Sequence, residues 1–359
     1  MTFIKSEYAA IVHKLEDEFV IWGAGNTTLY YEKICSYEQI KIKYIVDSDE
    51  NKIGSCFCGY KVLDPSVLYD ENKVIVLIST SNFDTCCEIK RKLSNINKNI
   101  VSYSFDEFVL RKNIGNICRV SSLFEDITSQ KIYSAIIQSR INGAPVSEDV
   151  YCVNSQRYNE GRFFQTPRHD DIIVDAGAFV GDSLEKFLFD HDGIFSKYFA
   201  FEPDSRYFSA LKKRCLRLSE EWVLPEGSII PVNKCLTQDS GFACLHNWPQ
   251  SGGGSSICSN EVSSDNFNIS KVLTTSLDEF FHDENVTFIK ADIEGAEYSM
   301  LEGSINILTN CKPRLAISVY HNPSDLYRIP LLLEKLNVGY KFYFRHYSYT
   351  WGDSVLYAF

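Results

Sequence analysis

A chain of 359 residues is comfortable for two domains, and its 45% apolar and 23% charged shares are those of an ordinary globular protein. A formal charge of −11 argues against a nucleic-acid partner, because phosphate binding needs Lys and Arg gathered on one face. The 12 Cys form neither a disulfide framework nor a zinc spacing, the first residues do not read as a signal peptide, and no stretch approaches the roughly 20 apolar residues of a membrane span, so a cytoplasmic protein is expected.

The first third alternates strand and helix signals. "FVIWGAG", "IKYIVDSD" and "VIVLIST" read as short, buried parallel strands. Turn signals at Gly54, Gly59 and Pro65 separate the second from the third. "SNFDTCCEIKRKLSNI" supplies a helix, and "IVSYSFDEF" closes a Rossmann-like α/β domain at residues 1–108. Its loop Gly23-Ala24-Gly25 is followed, about 20 residues on, by Asp47, the spacing of a ribose-contacting acid. Gly23, Gly25 and Asp47 are therefore a candidate second nucleotide site. The third glycine position is Thr28, so the dinucleotide fingerprint is incomplete.

Residues 109–170 read as a helical bridge. Its strongest element is a helix over about 123–141, opened by a capping box at Ser122-x-x-Glu125. Leu123, Ile127, Ile137 and Ile141 fall on one face, beside Phe124, Tyr133 and Ile136.

From 171 to 359 the βα alternation restarts. "DIIVDAG", "KYFAFEPD", "SIIPVNKCL", "VTFIKADI", "RLAISVY", "YKFYFRH" and "SVLYAF" read as strands, the last two joined closely enough for an antiparallel hairpin. This predicts a doubly wound, mostly parallel seven-stranded sheet with one reversed strand. "WPQSGGGSSICS" interrupts it and reads as a lid or a hairpin tip.

The loop "VDAGAFVGD" differs from a pyrophosphate site, which wants bare amides and a positive helix start. Asp175 and Asp182 flank it and would oppose phosphate while favouring an ammonium or sulfonium charge. Gly177, Ala178 and Gly181 allow close backbone approach, and Glu202, about 20 residues on, suits a ribose diol. A ligand with a ribose, a cationic amino-acid tail and no pyrophosphate is S-adenosylmethionine; plain turn chemistry at the strand end is the alternative. In "TFIKADIEGAE" strand alternation sets Lys290, Asp292 and Glu294 on one face, at the carboxyl edge where open α/β sheets bind ligands. Asp175, Glu202, Asp292, Glu294, His321 and Arg345 are expected to converge on one rim.

"IIVDAGAFVGDS", "FAFEPD", "FIKADIEGAEYSMLEG" and "LAISVYH", in this order, resemble the FkbM family of S-adenosylmethionine-dependent methyltransferases over roughly 120–359. The resemblance implies a class I methyltransferase fold and O-methylation of a hydroxyl, often on a sugar, glycan precursor or natural product. With the residue reading it assigns Asp175, Gly177, Ala178, Gly181, Asp182 and Glu202 to the cofactor. Asp292, Glu294 or His321 orients and deprotonates the acceptor, with Lys290 pairing to a carboxylate. No metal is expected, although "FDHDG" at 189–193 looks metal-like. The rival is an NAD- or nucleotide-sugar-binding protein working through the GAGN loop, with a non-catalytic C-terminal domain; self-association through residues 1–108 is a further expectation.

Overall fold

Phe19-Val20-Ile21-Trp22 has no polar side chain and is wholly buried, which places it in the middle of a covered parallel sheet. The computed structural model describes residues 10–11, 17–71, 74–80, 82–150, 157–158, 168–247, 255–258, 268–282 and 284–359. Strands β1 (Phe19–Trp22), β2 (Ile42–Val46), β3 (Cys56–Phe57), β4 (Tyr60–Leu63), β5 (Ile75–Ile78) and β6 (Val101–Ser104) form a sheet of order β3-β4-β2-β1-β5-β6. All its pairs are parallel except β3–β4, a hairpin turned by Cys58 and Gly59, both at positive φ. The glycine there reads as a turn in the sequence; strands as short as β3 carry no periodicity to announce them.

The bridge helix runs over Ile127–Asn142 and is capped by Asp126, whose side chain accepts from the Ser129 amide at 2.6 Å. The expected capping box at Ser122 and Glu125 is therefore not used. Ser122 instead ends the preceding helix, Ile114–Ser121, its hydroxyl bonded to the Arg119 carbonyl. Two caps compete here, and the burial of Phe124 against Tyr133 and Phe344 decides between them by holding residues 123–126 out of the helix. Tyr133, Ile136, Ile137 and Ile141 are buried as expected, whereas Ile127 is 62% exposed. Asp126 also pairs with the buried Arg345 at 2.7 Å. Asp126→Ala is thus expected to destabilise the protein by at least about 2 kcal/mol, and Ser122→Ala by no more than about 0.5 kcal/mol, in urea unfolding.

The second sheet contains β7 (Ile172–Ala176), β8 (Lys197–Phe201), β9 (Ile229–Val232), β14 (Phe288–Ala291), β15 (Arg314–Ser318), β16 (Phe342–His346) and β17 (Ser354–Ala358). Its order is β16-β17-β15-β14-β7-β8-β9, and only β17 is reversed. This is the expected class I methyltransferase-type sheet with its antiparallel hairpin. The strand order reverses direction between β7 and β14, so the crevice beyond their carboxyl ends is where such a sheet takes a ligand.

"SIIPVNKCL" divides between two sheets. Its first half is β9, and β10 (Cys235–Leu236) joins β11 (Gly241–Asn247), β12 (Ser255–Cys258) and β13 (Asn268–Thr275) in a small sheet of order β10-β13-β11-β12. Most of the expected lid, 248–259, lies outside the described residues.

Candidate active site

At the end of β7 the chain must turn under β14. A Cβ on Gly177, which has φ +78°, would stand 1.9 Å from the Asp292 carbonyl oxygen, so only glycine lets the two strand ends meet. The Gly177 and Ala178 amides both donate to the Phe201 carbonyl, at 3.1 and 2.9 Å. Phe179 takes φ 47° and donates its amide to Glu202 Oε2 at 3.0 Å. Gly181 opens the helix Asp182–Asp190.

These contacts border an open cavity of about 500 Å³, within the usual range for a small-molecule site. Gly177, Phe179, Asp182, Glu202, Pro203 and Tyr207 line one half. Arg157, Tyr158, Leu245, Asp292, Ile293 and Glu294 line the other.

Three residues expected at the cofactor, Asp175, Ala178 and the buried Gly181, do not line the cavity. Asp175 is fully buried, ion-paired with Lys290 Nζ at 2.7 Å and accepting from the Tyr198 hydroxyl at 2.8 Å. Its charge is spent inside the protein, not presented to a ligand. Ala178 is also fully buried, and its amide is taken by Phe201. Lys290 reaches the Gly177 carbonyl as well, at 2.7 Å, so it braces the loop from below.

Glu202 is a buried carboxylate on the cavity wall, accepting from the amides of Phe179 and Asp204. Burial pushes its carboxyl up to about 7, against the pull of those two amides.

On the other half, Asp292 accepts from Arg157 at 2.9 Å and from the Tyr320 hydroxyl at 2.8 Å. Burial opposes its charge, but His321, Arg157, Lys290 and Tyr320 outweigh that and hold it at about 2. His321 lies beneath, with Nδ1 2.9 Å from Glu297 and Nε2 3.5 and 3.6 Å from Glu294 and Asp292. Burial alone would lower its pKa; Glu297, Glu294 and Asp292 overcome this and raise it to about 10. These carboxylates favour the imidazolium form of His321, which argues against its expected role as base and leaves Asp292 and Glu294 as the candidates. Glu294 lines the cavity in a left-handed conformation, φ 54°, of the strained kind that clusters at functional sites.

Arg345 does not join this rim. It is 1% exposed and bound to Asp126 and Ser129 on the bridge helix. Asp292, Glu297 and His321 stand within 4.8 Å of one another, near enough to take a metal, but Arg157 and Lys290 already supply cations to Asp292. In "FDHDG", His191 is buried, stacked on Phe187 and bonded to its carbonyl, while Asp190 pairs with Lys186.

The sequence singled out neither Arg157, Tyr158 nor Tyr320 for a role. Tyr320 announces itself only by standing beside His321 at a strand end. Arg157 and Tyr158 lie in a stretch with no periodicity, and nothing local marks them.

Residues 175–342 match the family described as Methyltransferase FkbM domain. In fold the chain is similar to the methyltransferase FkbM from Methylobacillus flagellatus KT, at 18% identity and TM-score 0.59, over 99% of this chain and 92% of that one. The chain carries an FkbM methyltransferase domain. Weaker likenesses are an rRNA methylase from Streptococcus thermophilus (14% identity, TM-score 0.32, 54% of this chain and 87% of that one) and a precorrin-6y C5,15-methyltransferase from Geobacter metallireducens GS-15 (12%, 0.29, 59% and 94%). No curated protein matches. The FkbM match begins at Asp175 and takes in every cavity residue named above except Arg157 and Tyr158. Among the described residues, no helix is long and apolar enough to cross a membrane.

The GAGN loop folds as a Rossmann-like turn, but Asp47 bends back onto it. Asp47 Oδ2 accepts from the Ala24 amide at 2.7 Å and meets Lys52 at 3.3 Å, and Oδ1 accepts from the Asp49 amide at 2.9 Å. Each oxygen of Asp47 thus accepts one backbone amide, as each oxygen of Glu202 does; unlike Glu202, Asp47 also meets a lysine.

Proposed function

We propose that the FkbM domain transfers the methyl group of S-adenosylmethionine to a hydroxyl of a sugar, glycan precursor or natural product. The observation that carries this reading is that one cavity joins Glu202, at the tip of β8, to Asp292, at the tip of β14. The first is placed for a ribose diol and the second for an acceptor hydroxyl. Asp182 and Glu202 share the lining with Lys186 and Lys234, so the support for this cofactor comes from the placement of Glu202 and not from the net charge of the cavity.

Transfer is an in-line displacement in which the S–CH3 bond breaks as the O–CH3 bond forms, and its electron pair returns to sulfur. Most of the acceleration comes from holding the acceptor oxygen behind the methyl carbon. The hydroxyl proton becomes strongly acidic only as the oxygen gains its third bond. Asp292 is a weak base toward a free hydroxyl, yet it is able to accept that proton late in the step. His321 holds Asp292 in its charged form and stands 3.5 Å from Glu294, and no metal is required. Activity lost to a chelator and restored by Mg²⁺ would count against that last point.

The division of the chain follows as part of the proposal: 1–108 a Rossmann-like unit for assembly or a nucleotide-linked acceptor, 109–170 the bridge, and 171–359 the methyltransferase. Calorimetric titration with S-adenosylmethionine, S-adenosylhomocysteine, NAD and UDP-sugars tests the cofactor. Transfer of tritium from [methyl-³H]S-adenosylmethionine into a panel of polyols and glycosides tests the reaction. Binding of NAD alone would sink the reading.

A pH dependence follows from Glu202. A ribose diol donates to the carboxylate form, so binding draws its pKa down from about 7. Affinity for S-adenosylmethionine is then full above about pH 8 and falls as pH drops through 7, with proton uptake into the free protein. Glu202→Gln should bind more weakly and without this pH dependence in the same titrations.

A further inference from the structure

Arg140 stands near the end of the bridge helix, 3% exposed and outside the cavity. Burying a guanidinium is costly unless it is paired, and Arg140 spends both terminal nitrogens on protein partners while its Nε has none among the described residues. Nη1 donates to Asp106 Oδ2 at 2.9 Å, and Asp106 Oδ1 accepts from the Tyr31 hydroxyl at 2.9 Å. Asp106 belongs to the helix Phe105–Lys112 that follows the first sheet, and Tyr31 to the helix Asn26–Tyr37 that follows the GAGN loop.

The other terminal nitrogen, Nη2, donates to two backbone carbonyls just outside strands of the second sheet, Tyr320 after β15 at 2.7 Å and Trp351 between β16 and β17 at 3.0 Å. From Tyr320 the path continues through its hydroxyl to Asp292 at 2.8 Å. From Trp351 it continues along two residues to Asp353, which pairs with Arg157 at 2.5 Å, and Arg157 returns to Asp292 at 2.9 Å. Both branches thus leave one guanidinium and close on one carboxylate.

We propose that Arg140, anchored by Asp106, is a positioning residue for the acceptor half of the cavity, so that the first sheet's own helices are a working part of the methyl-transfer site. The assignment of the Asp292 side to the acceptor rests on the function proposed above. The cofactor half is fixed separately, through Phe201, Glu202 and Lys290. A second buried contact between the same parts provides a control: Glu38 accepts from Tyr327 at 2.6 Å and pairs with Lys112 at 2.7 Å, sharing no partner with Arg140 among the described residues.

The test compares Arg140→Gln, Arg140→Lys, Asp106→Asn and Glu38→Gln in the full chain. Hydrogen exchange of the amides at 319–322 and 350–353 should rise at least about tenfold in Arg140→Gln and Asp106→Asn. Amides at 177–182 and 201–204 should stay within about twofold, and the S-adenosylhomocysteine Kd within about threefold. With the acceptor that the tritium assay identifies, kcat should fall by about 100-fold, because small misplacements of reacting groups are that costly. Arg140→Lys keeps the charge against Asp106 but lacks the fork that spans two carbonyls, so it should fold and fall between the wild type and Arg140→Gln. Exchange rising equally in both halves, or rising at 319–322 in Glu38→Gln, would overturn the proposal, as would wild-type exchange in Arg140→Lys and Asp106→Asn. The exchange pattern is readable without any methyl transfer, so failure of the proposed function shows separately, as loss of wild-type S-adenosylhomocysteine binding.

Discussion

Asp292→Asn is expected to lower methyl transfer by at least about 100-fold while leaving the Kd for S-adenosylmethionine within about threefold. The substitution is isosteric: one oxygen remains for Arg157, and the new NH2 faces the Tyr320 hydroxyl, which can turn to accept. What is lost is the negative charge that His321, Arg157 and Lys290 hold in place at a pKa of about 2. That charge has two uses in the proposed reaction: it orients the acceptor hydroxyl and receives its proton as the oxygen becomes positive. The cofactor half keeps its own contacts, since Glu202 is held by Phe179 and Asp204. Single-turnover transfer of a tritiated methyl group, alongside calorimetric titration, separates the two effects. Full activity in the variant would remove Asp292 from the chemistry. Loss of cofactor binding in step with activity would show that it acts through the shape of the β7–β14 junction.

The order of strands was legible because each strand of the second sheet is a short apolar run ended by a turn residue, a signal that needs no knowledge of partners. The glycine loop was legible for the same reason: Gly177 and Gly181 stand where a chain leaving a strand must turn closely. What sequence order hides is direction. Asp175 and Glu202 both sit at strand ends, yet one faces Lys290 and Tyr198 inside while the other reaches the cavity. Only the pairing of β14 beside β7, which sets Lys290 opposite Asp175, distinguishes them. Arg345 shows the same limit. It stands at a strand end as the rim expectation requires, but Asp126 on a helix more than 200 residues earlier claims it. His321 was a reasonable base by residue type, and three surrounding carboxylates, from Asp292, Glu294 and Glu297, raise its pKa and favour its charged form. Asp47 keeps the spacing of a ribose contact, and its packing adds a pairing with Lys52 that spacing does not show. Spacing along the chain predicts where a backbone goes, whereas the use of a charged side chain depends on which other charge tertiary packing delivers to it.

Lys290→Met is expected to destabilise the protein by about 3–5 kcal/mol, the usual cost of leaving one member of a buried ion pair without its partner. Asp175 is fully buried and Lys290 nearly so, at 2.7 Å. Without the ammonium, Asp175 would retain only the Tyr198 hydroxyl, too little to compensate a carboxylate in that position. The Gly177 carbonyl would lose its partner too, which loosens the loop beside the proposed cofactor site. Removing both charges separates these contributions. Asp175→Asn combined with Lys290→Met should recover most of the stability, since a neutral amide still meets Tyr198 and no buried charge is left unpaired. It should not recover cofactor affinity, because the Gly177 carbonyl remains unbraced. Urea unfolding of the two variants, with S-adenosylmethionine titration of the double variant, measures both. A single variant within about 1 kcal/mol of wild type would mean that Asp175 is neutral or hydrated there, and that the pair does not hold the loop.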